Sequence, residues 1–310
     1  MREKHFWIGI GLVILVILGN YIYFSSKQLD GPVFLEHYIA KEINEKEDYL
    51  VQFQLYYLSN KQNPVDISYM RVGEVQGFVH WDEMGFWQDD QPIVKFIQEF
   101  NHHYLVPVTV DIPFDMIPFR EDGTWSFNTM EVIFTNGDLM EVPIGEVIIQ
   151  KINMENTSLE WISSSGDSSG WNQTTLTANK DLEIIYVTNP FNKDFFDQMA
   201  IQIRSSNNLP ENNKVKAPKW LEKGNYEAWE KQNGVLISSN LAPFSLSKGD
   251  YLLIYTQLRP YQFYYFDFPV NFMTVTENGK KTVGSTYINS IPELRQEDIN
   301  TIIEERGNIK

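Results

Sequence analysis

The chain of 310 residues is long enough for two domains of ordinary size, and an aromatic content of 14% is typical of a globular protein. Its formal net charge of −16 argues against nucleic acid as a partner, because proteins bind nucleic acid chiefly by neutralising phosphates with Lys and Arg. The absence of cysteine excludes disulfides, thiolate metal sites and cysteine nucleophiles.

A long apolar run lies near the N-terminus, at residues 6–24. These 19 residues carry no charge, and as a helix they would span about 28 Å, close to the thickness of the hydrocarbon layer of a membrane. Aromatic residues at both ends suit the two membrane interfaces. The run therefore predicts a transmembrane helix with these spanning residues: Phe6, Trp7, Leu12, Leu15, Leu18, Tyr21 and Phe24.

The charges beside this run predict its orientation. Arg2 and Lys4 precede it and only Lys27 follows closely, so the positive-inside rule puts the N-terminus in the cytoplasm and the rest of the chain outside the cell membrane. Cleavage near the small residues Ser25 and Ser26 is the alternative. The apolar run is longer than the core of a usual signal peptide, which favours a permanent anchor.

Strand-like and helix-like patterns follow the anchor in the first half of the chain. Apolar residues at helical spacing in residues 34–43 predict a short helix next to the membrane. Residues 49–58, 67–79 and 105–114 are rich in β-branched and aromatic residues and predict strands. Residues 92–100 predict a helix with proline in its first turn.

Two Asn-Gly pairs predict β-hairpins. Asn136-Gly137 and Asn278-Gly279 each separate strand-like segments, and Asn-Gly suits a type I′ turn. Further strands are predicted in the second half at 182–187, 200–203, 251–258, 263–268, 272–277 and 280–288. The fold class is therefore predicted as mainly β, with two Ig-like β-sandwich modules and a few short helices.

Two of these helices are predicted in the second half. One covers residues 225–232. The other lies at the C-terminus, where Ser290 and Glu293 would form a capping box around Pro292. The predicted organisation is a cytoplasmic N-terminus (1–5), a transmembrane helix (6–24), a juxtamembrane linker or helix (25–48), a first β module (49–153) and a second β module with the C-terminal helix (154–310).

The stretch around Ser168 has the Gly-x-Ser-x-Gly pattern of a hydrolase nucleophile. Such a serine needs a helix directly after it, but the residues from Trp171 onward are β-branched and polar. The hydrolase order also needs a histidine after the serine, and all five histidines of this chain precede it. The stretch is therefore interpreted as a loop between strands, with no catalytic role.

No metal site or cofactor is predicted. His80, Asp82 and Glu83 lie about 20 residues from His102 and His103, without the spacing that places ligands on one helix face.

Two groups of aromatic residues are the remaining candidates for a contact site. Trp81, Phe86 and Trp87 lie in an acidic loop, and Tyr261 and Tyr264 lie at the start of an aromatic strand. Large aromatic residues in such positions are either packed into the core or offered to a partner. Burial in the core is the favoured interpretation for both groups.

These observations predict a single-pass membrane protein with a large extracytoplasmic β domain. We expect a non-catalytic interaction or accessory protein of a bacterial cell envelope, with another envelope protein as partner. A binding module for carbohydrate or peptide is the alternative, and an envelope hydrolase is a third hypothesis.

Overall fold

The computed structural model consists mainly of strands, which contain 54% of the residues and confirm the predicted mainly β class. It describes residues 3–45, 48–80, 94–152, 157–167, 169–191, 195, 197–206, 217–223, 229, 234–236, 243–261 and 263–306.

The helices with described bounds are α1 (Glu3–Ser25), α2 (Lys219–Lys223) and α3 (Gln296–Arg306), and Phe114–Met116 forms one 3-10 turn. The strands up to residue 151 are β1 (Val33–Phe34), β2 (Glu36–Ile43), β3 (Leu50–Asn60), β4 (Ile67–Val72), β5 (Val75–His80), β6 (Gln98–Glu99), β7 (His103–Pro113), β8 (Thr124–Phe134) and β9 (Leu139–Lys151). Those that follow are β10 (Leu159–Gly166), β11 (Trp171–Ala178), β12 (Leu182–Thr188), β13 (Met199–Ser205), β14 (Val235–Leu236), β15 (Phe244–Leu246), β16 (Tyr251–Leu258), β17 (Tyr264–Thr276) and β18 (Lys281–Asn289).

The helix α1 confirms the predicted N-terminal apolar helix. Over Phe6–Ser25 it is long and apolar enough to cross a membrane, and none of that segment is buried inside the protein. Its large apolar side chains are more than half exposed along most of the segment, which in water would be costly for a soluble helix.

Two sheets form a sandwich-like body. The larger sheet has 13 strands, in the order β1-β3-β7-β5-β4-β8-β9-β2-β17-β12-β15, with β6 paired to β7 and β18 paired to β17. The smaller sheet has the order β10-β11-β16-β13-β14. Most neighbours are antiparallel, whereas β2 pairs in parallel with both β9 and β17.

The predicted juxtamembrane helix at residues 34–43 is wrong, because this segment forms β1 and β2. The strand β2 lies in the middle of the large sheet, so both of its edges are paired, and a hydrophobic core covers each of its faces, so most of its residues are buried. Leu35, Ile39 and Ile43 face one hydrophobic core, while Tyr38 and Ala40 face the other. A strand buried on both faces lacks polar alternation, which is why its apolar residues fitted a helical spacing.

The division into two consecutive modules is not confirmed, and neither is their Ig-like character. The strand β2 joins β9, before residue 153, to β17, after it. The C-terminal helix α3 also packs on the first core, through Ile299 and Ile302, and so does Leu294 just before it. Strands from both sides of the predicted boundary therefore belong to one continuous sheet.

The predicted strands at 263–268 and 272–277 form the single strand β17, which contains Pro269. Along one edge β17 pairs with β18. On its other edge β2 pairs with Tyr264–Asp267 and β12 pairs with Asn271–Thr276, so Pro269 falls between these two partners. A residue without an N–H group is tolerated there because no neighbouring strand needs that donor.

Both Asn-Gly pairs connect hairpins, as predicted, but their turns are not type I′. In each pair only the glycine has positive φ (+90° at Gly137 and +74° at Gly279), whereas a type I′ turn needs positive φ at the asparagine as well. In the first hairpin the N–H of Gly137 donates to the Phe134 carbonyl (2.9 Å). The Phe134 N–H donates to the Asp138 carbonyl. Together these two bonds are the pattern of a three-residue loop with a glycine bulge.

Two helix predictions also need correction. The described part of residues 92–100 contains β6 and no helix. The C-terminal helix exists but begins at Gln296, because the Ser290 hydroxyl accepts a hydrogen bond from the Phe266 N–H (3.0 Å) rather than capping a helix. The actual cap is the Asp298 carboxylate, which accepts the Arg295 N–H at 2.7 Å. The helix predicted at 225–232 lies outside the described residues, apart from Trp229.

Candidate functional site

The aromatic residues singled out from the sequence fall into two groups. Trp81, Phe86 and Trp87 lie outside the described residues. Tyr261 is 43% exposed, and the Arg295 guanidinium lies 4.4 Å from its ring centre. Their role as contact residues stays a prediction.

The strand that follows Tyr261 is packed on both faces rather than offered as a platform. Tyr264 is half-buried and lies 6.0 Å from the Tyr38 ring and 6.1 Å from the Phe266 ring. Tyr265 and Phe266 are almost fully buried, and they belong to the first and the second core respectively. Tyr261 is thus the more exposed of the two candidate tyrosines, although the Arg295 guanidinium lies over its ring.

The segment around Ser168 connects β10 to β11, although Ser168 itself lies outside the described residues. The Asp167 N–H donates to the Trp171 carbonyl (3.0 Å), and Gly170 has φ +81°. A strand, not a helix, begins at Trp171. The geometry is therefore that of a hairpin turn, and it lacks the helix that a nucleophile elbow requires.

The two adjacent histidines of the first half, His102 and His103, lie at the exit of α1. Within the ranges that the structure covers, no group of three His, Asp or Glu side chains could hold a metal ion. The His102 ring contacts the rings of Phe24 (5.6 Å) and Tyr23 (6.2 Å). His103 is buried, and its Nε2–H donates to the Lys27 carbonyl at 2.9 Å.

The segment between α1 and β1 is held against the domain by side chains. The Leu29 N–H donates to the Asn60 Oδ1 (2.9 Å), and the Asn60 Nδ2 donates back to the Leu29 carbonyl (2.8 Å). The Leu29 side chain is buried in the first core. With the His103 bond to Lys27, three hydrogen bonds hold the linker between α1 and β1 against the domain.

Burial sets the charge state of this junction. It lowers the pKa of His103 below its ordinary value, because a charged imidazole would lose its hydration there. Its Nδ1 is buried and finds no hydrogen-bond partner in the part of the chain that the structure describes. His103 is therefore neutral at pH 7, with its proton on Nε2.

A second group of polar side chains fixes the position of β2 in the sheet. The His37 ring is fully buried, with Nδ1–H donating to the Ile144 carbonyl (2.8 Å) and Nε2 accepting the Tyr56 N–H (2.8 Å). The Lys41 ammonium lies 2.6 Å from the Asp267 carboxylate of β17. Each neighbour of β2 is thus tied to it by polar side chains as well as by the strand ladder.

Two tyrosines surround this ion pair. Burial, together with the charge of Asp267, raises the pKa of Tyr56 to about 12 and also raises the pKa of Tyr265. The two rings lie 4.9 Å apart. Both phenols stay protonated at neutral pH and therefore act as hydrogen-bond donors. The cluster joins β2 and β3, from the first half of the chain, to β17 from the second half.

A cavity of about 320 Å³ opens where the β10–β11 turn approaches the ends of β16 and β18. Its polar lining comes from Asp167, Asn172, Thr256 and Asn289. A half-exposed ring, Tyr287, stands at its wall. The volume lies at the lower end of the range for small-molecule sites. The Gly-x-Ser-x-Gly stretch contributes Gly166, Asp167 and Gly170 to this cavity, but the sequence did not indicate the cavity itself, because the rest of its lining comes from three separate strands.

No protein-family model matches the sequence, and no curated protein matches it. Among solved structures, the crystal structure of the Pseudomonas aeruginosa CupB2 chaperone is similar at 7% identity and a TM-score of 0.18, over 82% of this chain and 98% of that chain. A chaperone–tip adhesin complex of CFA/I fimbriae biogenesis is similar at 9% identity and a TM-score of 0.16, over 84% of each chain. At such TM-scores the likeness supports no conclusion about function.

Proposed function

We propose that this protein is a single-pass membrane protein that presents a non-catalytic β domain outside a bacterial cell, as an accessory to another envelope protein. The observation that carries the proposal is the exposed apolar helix α1, whose linker is hydrogen-bonded to the domain through Asn60 and His103. An accessory domain held in one orientation meets a membrane partner at lower entropic cost than a domain on a flexible tether.

The orientation of the anchor can be tested by cysteine labelling, because the chain contains no cysteine of its own. Single-cysteine variants Tyr49→Cys, at an exposed position of the domain, and Glu3→Cys, before the span, would be treated in intact cells with a membrane-impermeant maleimide. Tyr49→Cys should be labelled at once, and Glu3→Cys only after permeabilisation. The reverse pattern would put the domain in the cytosol and end the proposal.

The accessory role needs a second experiment. Crosslinking of the full-length protein in native membranes, followed by mass spectrometry, should recover one envelope protein in constant stoichiometry. Recovery of cell-wall glycans without any protein would contradict the accessory role and favour the second candidate.

That second candidate is a carbohydrate-binding module, and the cavity beside Tyr287 favours it. Two aromatic residues, Trp171 and Tyr287, with amide, hydroxyl and carboxylate groups suit an uncharged sugar, which stacks on an aromatic ring and exchanges hydrogen bonds at its edge. Methyl glucoside, methyl galactoside and methyl mannoside would be titrated into the isotope-labelled protein and followed by NMR. Tyr287→Ala should abolish any shift, whereas Tyr186→Ala, at a similarly exposed tyrosine outside the cavity lining, should not. Equal loss in both variants, or no shift in the wild type, would exclude the cavity as a sugar site.

A further inference from the structure

The end of the β domain next to α1 lies at the depth of the lipid headgroups if α1 spans the membrane. The apolar segment Phe6–Ser25 has 20 residues and is about 30 Å long, which matches the hydrocarbon layer. Its last rings, Tyr23 and Phe24, therefore mark the edge of that layer. Because the His102 ring contacts both of them, at 6.2 and 5.6 Å, the loop that carries it lies within the adjoining headgroup layer of roughly 5–8 Å.

Hydrogen bonds between the linker and the domain set this depth. The hydrogen bonds of Asn60 and His103 hold the linker backbone on both sides of Gln28. The Lys61 N–H also donates to the His102 carbonyl (2.9 Å), which ties the loop after β3 to the loop before β7. Both loops consequently keep one position relative to the end of α1.

The side chains at this end suit phosphate groups. Lys27 lies with its ammonium 5.8 Å from the Tyr23 ring, and the Lys61 ammonium, which also pairs with Glu99, lies 5.5 Å from the Tyr104 ring. Ammonium and imidazole groups donate hydrogen bonds to phosphate oxygens. The chain as a whole carries a net charge of −16, so an anionic bilayer surface repels the rest of the domain.

We infer that Lys27, Lys61 and His102, with the exposed Asn101 next to His102 on the same loop, form a membrane collar, which binds the phosphodiester headgroups of the leaflet on the side of the domain. The inference rests on the proposed membrane anchor. The collar end of β3 and β7 rests on the bilayer, while the opposite end, about 34 Å away along the eleven residues of β3, stands in water.

Site-directed spin labelling of the full-length protein tests the collar, in vesicles of phosphatidylcholine with phosphatidylglycerol. Three single-cysteine variants would be labelled: Leu15→Cys in the span, Asn101→Cys in the collar and Tyr49→Cys at the far end of β3. Relative accessibility to oxygen and to a water-soluble nickel complex gives the depth of each label. We expect hydrocarbon depth at Leu15, headgroup depth at Asn101 and full water accessibility at Tyr49.

The outcomes separate the collar from the anchor. A label at Leu15 in hydrocarbon with Asn101 fully in water would overturn the collar and leave the anchor intact. A label at Leu15 in water would overturn the anchor itself. Headgroup depth at both Asn101 and Tyr49 would mean that the domain lies flat on the bilayer, which contradicts contact through the collar end alone.

The charges of the collar are tested with a matched control. The double variant Lys27→Gln/Lys61→Gln should retain less phosphatidylglycerol than the wild type after purification in mild detergent, whereas the Asn101 label should keep its depth because the linker hydrogen bonds are intact. Lys151→Gln, at the far end of β9, should retain as much phosphatidylglycerol as the wild type. Equal retention in the double variant and the wild type would overturn the role of the two ammonium groups.

Discussion

Replacing Gly145 with alanine tests the contact through which β2 joins the two halves of the fold. Gly145 lies in β9 opposite His37 of β2, and its φ is +97°. A Cβ added at this position would stand 2.2 Å from the His37 carbonyl oxygen and 2.5 Å from the His37 nitrogen. Both contacts involve backbone atoms, so no side-chain rotation can relieve them.

The expected cost combines a backbone term and a displacement term. Positive φ costs a residue with a side chain about 1–2 kcal/mol. To reach an ordinary contact distance, β2 must move by about 1 Å at His37. That movement stretches the two 2.8 Å hydrogen bonds of the His37 ring, and each buried group left unpaired costs about 1–3 kcal/mol. We expect Gly145→Ala to lower the free energy of unfolding by about 4 kcal/mol.

Urea unfolding of the full-length protein in a mild detergent, followed by tryptophan fluorescence, measures this cost. Gly279→Ala is the matched control, because Gly279 also has positive φ (+74°) but has open space where a Cβ would lie. It should lose only the backbone term of about 1–2 kcal/mol. Equal losses in the two variants would refute the close approach of β2 and β9 at this position.

Three further predictions concern the linker, the buried histidine and the ion pair at β2. Asn60→Ala should remove both hydrogen bonds to the linker backbone and therefore speed tryptic cleavage of the linker in the folded protein. Asn63→Ala, at an exposed position, should leave the cleavage rate unchanged. Equal cleavage rates in the two variants would contradict a linker held by Asn60. Burial keeps the pKa of His103 in the folded protein below its ordinary value of 6.5. The neutral imidazole therefore contributes stability that is fully present above pH 6.5. This contribution is lost as the pH falls from 6.5 towards the pKa of the folded state. His103→Gln should therefore flatten the fall in unfolding free energy below pH 6.5, and a slope equal to that of the wild type would show that His103 does not titrate on unfolding. Asp267→Asn should lower the free energy of unfolding in urea by about 2 kcal/mol, because it leaves the largely buried Lys41 without its counter-charge. Glu131→Gln, from an exposed ion pair, should change the free energy of unfolding little. Similar costs would mean that burial adds nothing to the Lys41–Asp267 pair.

The sequence by itself determined the elements whose signals are local. The apolar run of α1 is long and uncharged, so its helix needed no knowledge of the rest of the chain. Both Asn-Gly pairs lie between alternating strands, and both connect hairpins. The absence of a helix after Gly170 was also predicted, since the residues from Trp171 onward are β-branched and polar, and they form β11.

Only the tertiary structure decided the features that depend on distant partners. The segment 34–43 became a strand because β9 and β17 cover both of its edges, and these partners lie more than 100 and more than 220 positions further along the chain. The Ser290 hydroxyl likewise accepts a hydrogen bond from the distant Phe266 N–H instead of capping a helix. The linker bonds, the membrane collar and the cavity likewise join residues that are far apart in sequence. Local propensities differ by only fractions of a kcal/mol per residue, whereas burial of one large side chain contributes about 1.5–3 kcal/mol, so long-range packing overrides local preference wherever the two disagree.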